Sequence, residues 1–503
     1  MLWGSAGTPR HSEGMAAALR SSVALGMVAP FGQRPVERVS GKSIALFGGP
    51  ILALLAGFGM FYLGMPLGAA QTLAVTTLCI AWWIFEPIPI PATSLIPLTL
   101  LPLLGVIDRA GLSGAYGHPL ILLLLSGFLL SRALEKNGAH RRLALGLLNT
   151  IGGHSSRRVV IGFMAVAALL SMWISNTATA LMMLPVAMAV LEKARDERLR
   201  VPLLLGIAYG CSIGGMGTPI GTPPNVVFMG IYEEATGQTV SFLEWMTWAL
   251  PIVLVLFPLC AIWLTRNLGH NASPDASDMA VELPTLGQWQ SAELRVLLIF
   301  ALTALLWVTR TGPFGGWAGA LGVSYSNDAM VGFAGVIALF LIDNGRGKGE
   351  KLLDWESAEK IPWGILLLFA GGLAIAAAFT SSGLSQIVGE ALRDVVALHP
   401  LLVMLVLCTT VTFLTEATSN TATTNILMPI AAATALAAAI DPRLLMIPVA
   451  LSASCAFMLP VATPPNVIVF STGQVPINHM IREGFALNIL GILVIGFGLY
   501  VLL

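Results

Sequence analysis

Apolar residues along this chain gather into long unbroken runs, not into the alternating or two-faced patterns of a water-covered surface. The runs cover 43–64, 70–85, 90–107, 118–134, 159–191, 201–231, 242–265, 294–309, 329–343, 362–380, 400–440, 444–472 and 485–503. Many come close to the roughly 20 residues a helix needs to cross a bilayer. Polar stretches separate them at 135–158, 192–200, 266–293 and 344–361. The pattern predicts an all-α polytopic membrane protein.

Two runs are too long for one crossing and turn polar at mid-length. Residues 159–191 hold Ser175-Asn176-Thr177, and residues 400–440 hold Ser419-Asn420-Thr421. A polar tip between apolar arms predicts a re-entrant hairpin. Irregular backbone at membrane depth survives only inside protein or beside water, so both tips are expected to line a cavity. Two other runs are interrupted by Thr222-Pro-Pro-Asn225 and Thr463-Pro-Pro-Asn466. Paired prolines remove two backbone donors and break a helix. Each run should unwind there and free carbonyls for a cation. The half-helix that follows is expected to offer N–H groups and its positive dipole end to an anion. Asn225 and Asn466 are placed to fasten the broken segments by hydrogen bonds.

These features are one duplication. Ser175-Asn-Thr-Ala-Thr-Ala180 returns 244 residues later as Ser419-Asn-Thr-Ala-Thr-Thr424. The Thr-Pro-Pro-Asn sequence returns 241 residues later, from Thr222 to Thr463. Ser126-Gly-Phe-Leu-Leu130 aligns with Ala370-Gly-Gly-Leu-Ala374, again at 244. Three landmarks in one order at nearly one spacing mark an internal repeat. Arg141, Arg142, Arg157, Arg158, Lys193, Arg195, Arg198 and Arg200 flank the first hairpin; only Arg393 and Arg443 flank the second. Positive residues stay cytoplasmic, so the first hairpin should enter from the cytoplasm and the second from outside. That is an inverted-topology repeat, the usual architecture of secondary transporters.

Composition agrees. Of 503 residues, 56% are hydrophobic and 10% charged, against about a quarter charged in soluble domains. The formal net charge of zero gives no electrostatic reason to expect nucleic acid. Five scattered cysteines with no CxxC spacing read as buried thiols. Residues 1–42 are polar and basic without a signal-peptide core, so a cytoplasmic arm is expected. Gly345–Lys351 lacks the spacing of a phosphate loop, and no HExxH or nucleophile elbow occurs, so an enzyme is not expected.

The distribution of charge shapes the chemistry. Residues 159–191, 201–232 and 444–481 contain no Lys, Arg, Asp or Glu, and 401–440 contain only Glu416. An anion held there would have no basic partner, and burying it uncompensated would be very costly. Hydroxyls, amides and helix ends would hold it, with bound cations neutralising it. Glu416 reads equally as an intramembrane functional group and as a hydrogen-bonded strut. Glu86, His118 and His479 read as helix-end residues.

The paired Ser-Asn-Thr motifs, the paired Thr-Pro-Pro-Asn motifs and Trp82-Trp-Ile-Phe-Glu-Pro-Ile-Pro-Ile-Pro-Ala-Thr-Ser94 resemble the divalent anion/sodium symporter family, over about residues 43–503. The resemblance implies homodimers with a scaffold and a mobile transport domain, working by an elevator-like movement. It implies about eleven transmembrane helices plus the two hairpins. The corresponding division is a 1–42 arm, scaffold parts 43–140 and 290–385, and transport-domain halves 155–268 and 395–503. It implies one sodium site at Ser171, Ser175, Asn176 and Gly221, and a second at Thr415, Thr418, Asn420 and Ala462. The anion is expected against Asn176, Thr177, Ser419, Asn420, Thr421, Thr463 and Pro464, with Thr222 at the margin. Intact Ser-Asn-Thr in both copies favours sodium-coupled transport of a C4-dicarboxylate such as succinate, malate or fumarate. The chain would then sit among lipid in the plasma (inner) membrane with its N-terminus cytoplasmic. The alternatives are sodium-independent dicarboxylate exchange, citrate or sulfate transport and, from another class, an ion channel with re-entrant loops.

Overall fold

The structure is a computed structural model that describes residues 41–151, 155–194, 196–268, 287–312, 315–323, 325–347, 349–396 and 399–503. Nearly all of the expected 1–42 arm lies outside the described residues. Among the described residues every regular element is helical. Seven helical stretches are long and apolar enough to cross a membrane, and five shorter apolar helices accompany them. The protein is an integral membrane protein.

The first helices are α1 (Gly41–Tyr62), α2 (Leu67–Phe85), α3 (Ile90–Thr93), α4 (Leu95–Leu103), α5 (Arg109–Tyr116) and α6 (Pro119–Lys136). α1 rests on α2, and Trp82 Nε1 donates to Ala45 O at 2.9 Å. The run expected at 90–107 is split into α3 and α4. Glu86 ends α2 in the left-handed conformation, with φ 48°, which confirms it as a helix-end residue.

The polar stretch at 135–158 contains α7 (Ala139–Ile151), a helix the hydropathy runs did not indicate. Its Arg142 pairs with Glu293 at 3.3 Å and lies over the Trp289 ring at 4.3 Å. A second such helix spans Leu384–Val396. Both are two-faced, so neither forms an apolar run.

The first repeat then continues as α8 (Ser156–Ser171), α9 (Asn176–Lys193), α10 (Arg200–Gly215), α11 (Pro223–Thr236) and α12 (Phe242–Thr265). α8 and α10 approach closely because Gly206, Gly210 and Gly214 recur every fourth residue. A Cβ on Gly210 would sit 2.6 Å from Met164 O, and one on Gly214 would strike the Ala168 backbone. Small residues at this spacing let helix backbones meet in an apolar medium.

Next come α13 (Ser291–Val308), α14 (Gly316–Ala320), α15 (Asp328–Leu341) and α16 (Trp355–Ala358). The second repeat runs through α17 (Trp363–Ser381), α18 (Leu384–Val396), α19 (Pro400–Thr415), α20 (Asn420–Ala437), α21 (Arg443–Ser452), α22 (Pro464–Phe470) and α23 (Ile477–Leu502). Both long runs expected to be interrupted are helix–tip–helix pairs, α8/α9 and α19/α20. Both Thr-Pro-Pro-Asn runs are broken. The second break is the longer, 453–463 with one 3-10 turn at Pro460–Ala462, against 216–222 in the first.

Candidate substrate and cation site

Each tip is folded by one repeated contact. The hydroxyl of Ser171, at the end of α8, donates to Asn176 Oδ1 at the start of α9. The hydroxyl of Thr415, 244 residues on, lies 2.7 Å from Asn420 Oδ1. It also lies 3.0 Å from Ala453 O in the second break. Ser171 and Thr415 are fully buried. They stand beneath the asparagines and bring neutral oxygens together at each tip.

Each break is folded by a second repeated contact. Asn225 Nδ2 donates to Gly215 O at 3.0 Å and to Thr218 O at 2.7 Å. Asn466 Nδ2 donates to Ala456 O and Leu459 O, both at 3.0 Å. Both asparagines fasten the unwound chain, as the sequence led us to expect. Each also leaves its Oδ1 buried without a donor, an acceptor of the kind that suits a cation.

Tips and breaks meet in one cavity of about 750 Å³. Its wall includes Ser175, Asn176 and Thr177 from the first tip, and Gly221, Thr222 and Pro223 from the first break. Thr418, Ser419, Asn420 and Thr421 come from the second tip, and Ala462, Thr463 and Pro464 from the second break. Of the residues expected to form the sites, only Ser171 and Thr415 are absent from the wall.

The half-helices depart from expectation. Pro223 and Pro224 fill the first two positions of α11, and Pro464 and Pro465 those of α22. Those positions have no N–H to give. In α22 the third amide, that of Asn466, donates to Thr463 Oγ1 at 3.3 Å. The breaks therefore offer carbonyls and hydroxyls rather than a row of amides. The tip helices are better anion donors, and they differ. Ser175 caps α9 by accepting from Ala178 N at 3.2 Å. Ser419 makes no such cap, so its hydroxyl and the first amides of α20 stay open to the cavity.

Glu416 is resolved in favour of the strut. Its Oε1 accepts from Phe457 N at 2.7 Å, Met458 N at 2.8 Å and Asn488 Nδ2 at 2.8 Å. Its Oε2 accepts from Leu459 N at 2.9 Å. The carboxylate ties the second tip to the second break and to α23. At the equivalent junction of the first repeat the Thr218 hydroxyl donates to Met172 O. No carboxylate is needed there because the break is shorter.

The opposite wall was not foreseen. Ile84, Glu86, Pro91, Phe128, Arg132, Glu135 and Lys360 contribute to it. Its cations are already engaged: Arg132 pairs with Glu135 at 2.7 Å and Lys360 with Glu356 at 3.2 Å. Nearby, the Lys136 ammonium and the Ser357 backbone N–H donate to Asp354, and contacts with Lys136 and Ser357 hold its carboxyl well below the usual range. Periodicity carries no signal for this wall, since its residues come from separate helices.

The family described as "Sodium:sulfate symporter transmembrane region" matches residues 52–500. The "Sodium-dependent dicarboxylate transporter SdcS" of Staphylococcus saprophyticus is 38% identical over 477 residues, covering 92% of this chain and 91% of that protein. Its counterpart in Staphylococcus aureus is 37% identical over 471 residues, covering 91% and 90%. Among solved structures, the YdaH transporter of Alcanivorax borkumensis aligns with a TM-score of 0.58 at 16% identity, over 78% of this chain and 89% of that one. MtrF of Neisseria gonorrhoeae aligns with a TM-score of 0.55 at 14% identity, over 96% of each chain. At these identities the two structures show a shared fold.

Proposed function

This chain belongs to the sodium:sulfate symporter transmembrane family, and from that premise we propose that it carries C4-dicarboxylates across the plasma membrane together with sodium. One observation carries the reading. Both Ser-Asn-Thr tips and both Thr-Pro-Pro-Asn breaks face one cavity, and those segments supply no Lys or Arg to it. A divalent anion there needs cations from solution. The clusters around Ser171–Asn176 and Thr415–Asn420 are built from neutral oxygens, a donor set that suits a monovalent ion. The relatives named above are sodium-dependent dicarboxylate transporters, which supports both the cation and the anion.

In this reading one sodium ion sits against Ser171, Ser175, Asn176 and Gly221, and another against Thr415, Thr418, Asn420 and Ala462. The anion lies between them, against Asn176, Thr177, Ser419, Asn420, Thr421, Thr463 and Pro464, with Thr222 beside it. Residues 155–268 and 395–503 move as the transport domain against the scaffold of 43–140 and 290–385, in an elevator-type cycle and as a homodimer. The two halves cross the membrane in opposite senses, with about eleven crossings, two re-entrant hairpins and a cytoplasmic N-terminus. The unequal flanking of the two hairpins by Lys and Arg supports that inversion, and the repeated hydrogen-bond registers support the duplication. No residue has a catalytic part in this reading, and the protein is read as a transporter and not as an enzyme.

The test is uptake of radiolabelled succinate into proteoliposomes, with and without an inward sodium gradient, competed by malate, citrate and sulfate. Uptake that requires sodium and is blocked by malate is expected. Uptake that ignores sodium and requires internal dicarboxylate would make the protein an exchanger. Competition by sulfate alone would reassign the anion.

A further inference from the structure

The carbonyls of Met216 and Phe457 are equivalent, 241 residues apart in the two breaks, yet they are satisfied from different directions. Trp245 Nε1, on α12 of the same half, donates to Met216 O at 3.0 Å. Tyr209 OH, on α10 of the first half, donates to Phe457 O in the second half at 2.8 Å. The Tyr209 and Phe457 rings meet edge to face with centroids 5.0 Å apart, and both residues are fully buried. Ala450 stands where the repeat would place a second Tyr209. It has no donor, so this tie is not reciprocated.

Both ends of the tie are firmly held. α10 ends at Gly215, which packs so closely on the first tip that an added Cβ would lie 2.9 Å from Asn176 Oδ1. Tyr209 is less than two turns back on the same helix. At the other end the Phe457 N–H is bound by Glu416 at 2.7 Å, and the same carboxylate holds Met458, Leu459 and Asn488. A continuous line therefore runs from the first oxygen cluster along α10, through the Tyr209 hydroxyl, into the backbone beside the second cluster.

We infer that Tyr209 is a positioning residue that couples the two cation sites. A cation fixed by Ser171, Asn176 and Gly221 sets the end of α10, and the Tyr209 hydroxyl then holds the second unwound segment in its binding geometry. Such coupling is a free energy shared by the two sites and works in both directions, so each cation raises the affinity for the other. The inference rests on the sodium-coupled reading above.

Tyr209→Phe removes one hydroxyl and keeps the ring. Two measurements read the coupling: sodium activation of succinate uptake in proteoliposomes, and the sodium-dependent rise in melting temperature in detergent, which requires no transport. The wild type is expected to respond with a Hill coefficient above one. In Y209F the coefficient should fall below the wild-type value, and half-saturating sodium should rise roughly fivefold, the scale of one neutral buried hydrogen bond. Trp245→Phe cuts the equivalent bond within one half and should leave the cooperativity in place. A wild-type Hill coefficient of one, a Y209F curve that overlays the wild type, or an equal loss in W245F would each overturn the tie while leaving sodium coupling intact. No sodium effect on the wild type in either measurement would remove the functional reading beneath it.

Discussion

Asn225 and Asn466 share two bonds at the same register, and Asn225 adds a longer one to Met216 O at 3.4 Å. Each side-chain amide reaches back to the carbonyls ten and seven residues upstream, Gly215 and Thr218 for Asn225, Ala456 and Leu459 for Asn466. Two prolines before each asparagine open the helix, and the asparagine then fixes the opened chain in one shape.

Replacing either with alanine would leave one buried carbonyl, Gly215 O or Ala456 O, without a donor, and would strip Thr218 O or Leu459 O of one of its two donors, at a cost of about 2 kcal/mol. N225A and N466A should both melt several degrees below the wild type and lose most sodium-dependent uptake. N225D should fare worse, since a carboxylate cannot donate and would face carbonyl oxygens. Thermal unfolding in detergent followed by intrinsic fluorescence reads the first effect and proteoliposome uptake the second. Wild-type melting in both alanine variants would mean the breaks hold themselves.

The two tip serines should separate stability from binding. Ser175 caps α9, and losing an N-cap costs about 1 kcal/mol. Ser419 caps nothing and lines the cavity. S175A is therefore expected to lower the melting temperature, whereas S419A should leave it unchanged and raise the KM for succinate several-fold. Equal melting shifts in the two variants would contradict the asymmetry.

Much of this was legible in the sequence because it depends on local chemistry that the duplication prints twice. Ser175-Asn-Thr, Ser419-Asn-Thr and the two Thr-Pro-Pro-Asn breaks announce irregular backbone, and the long apolar arms around them announce membrane depth. What was not legible depends on contacts between distant segments. Glu416 stayed undecided because its partners Phe457, Met458 and Leu459 lie about forty residues on and use only backbone N–H groups. Nothing in the apolar run 201–231 marks Tyr209, whose partner Phe457 lies 248 residues on. The wall formed by Ile84, Glu86, Arg132 and Lys360 has no periodic signature. α7 and α18 were missed because they are two-faced. The amides of the two half-helices were overestimated. The same prolines that signal the break occupy the positions that would have donated.

Glu416 offers a graded test of the strut. In Glu416→Ala the backbone amides of buried Phe457 and half-buried Met458 and Leu459, with the Asn488 side-chain amide, lose their acceptor, which should cost about 3 kcal/mol or more. Glu416→Gln keeps one acceptor oxygen and should fall between alanine and wild type. Yield after detergent extraction and melting temperature give the ranking. An E416A protein as stable as wild type, yet inactive, would return Glu416 to the ligands of the site.

The first break also lacks room that the second one has. Gly221 and Ala462 are equivalent positions, as are Gly215 and Ala456. A Cβ on Gly221 would collide with the Gly215 carbonyl, and it would lie 3.1 Å from Gly215 Cα. These are backbone atoms that Asn225 already holds, so no side-chain rotation can relieve the clash. In the second break Ala462 and Ala456 carry their methyl groups and remain buried, because the longer segment there curves with a 3-10 turn at Pro460–Ala462. Gly221→Ala should therefore push the Gly221 carbonyl out of the first oxygen cluster. Sodium-dependent uptake should fall by about tenfold or more, the scale of a backbone displacement at a binding site. Ala462→Gly removes only a methyl group and adds backbone freedom, worth about 0.5–1 kcal/mol, and should alter uptake by no more than about fivefold. The two variants assayed side by side for sodium activation decide the matter. Comparable losses in both would mean that the repeats use these positions alike and that the close approach in the first break has no part in holding the cation.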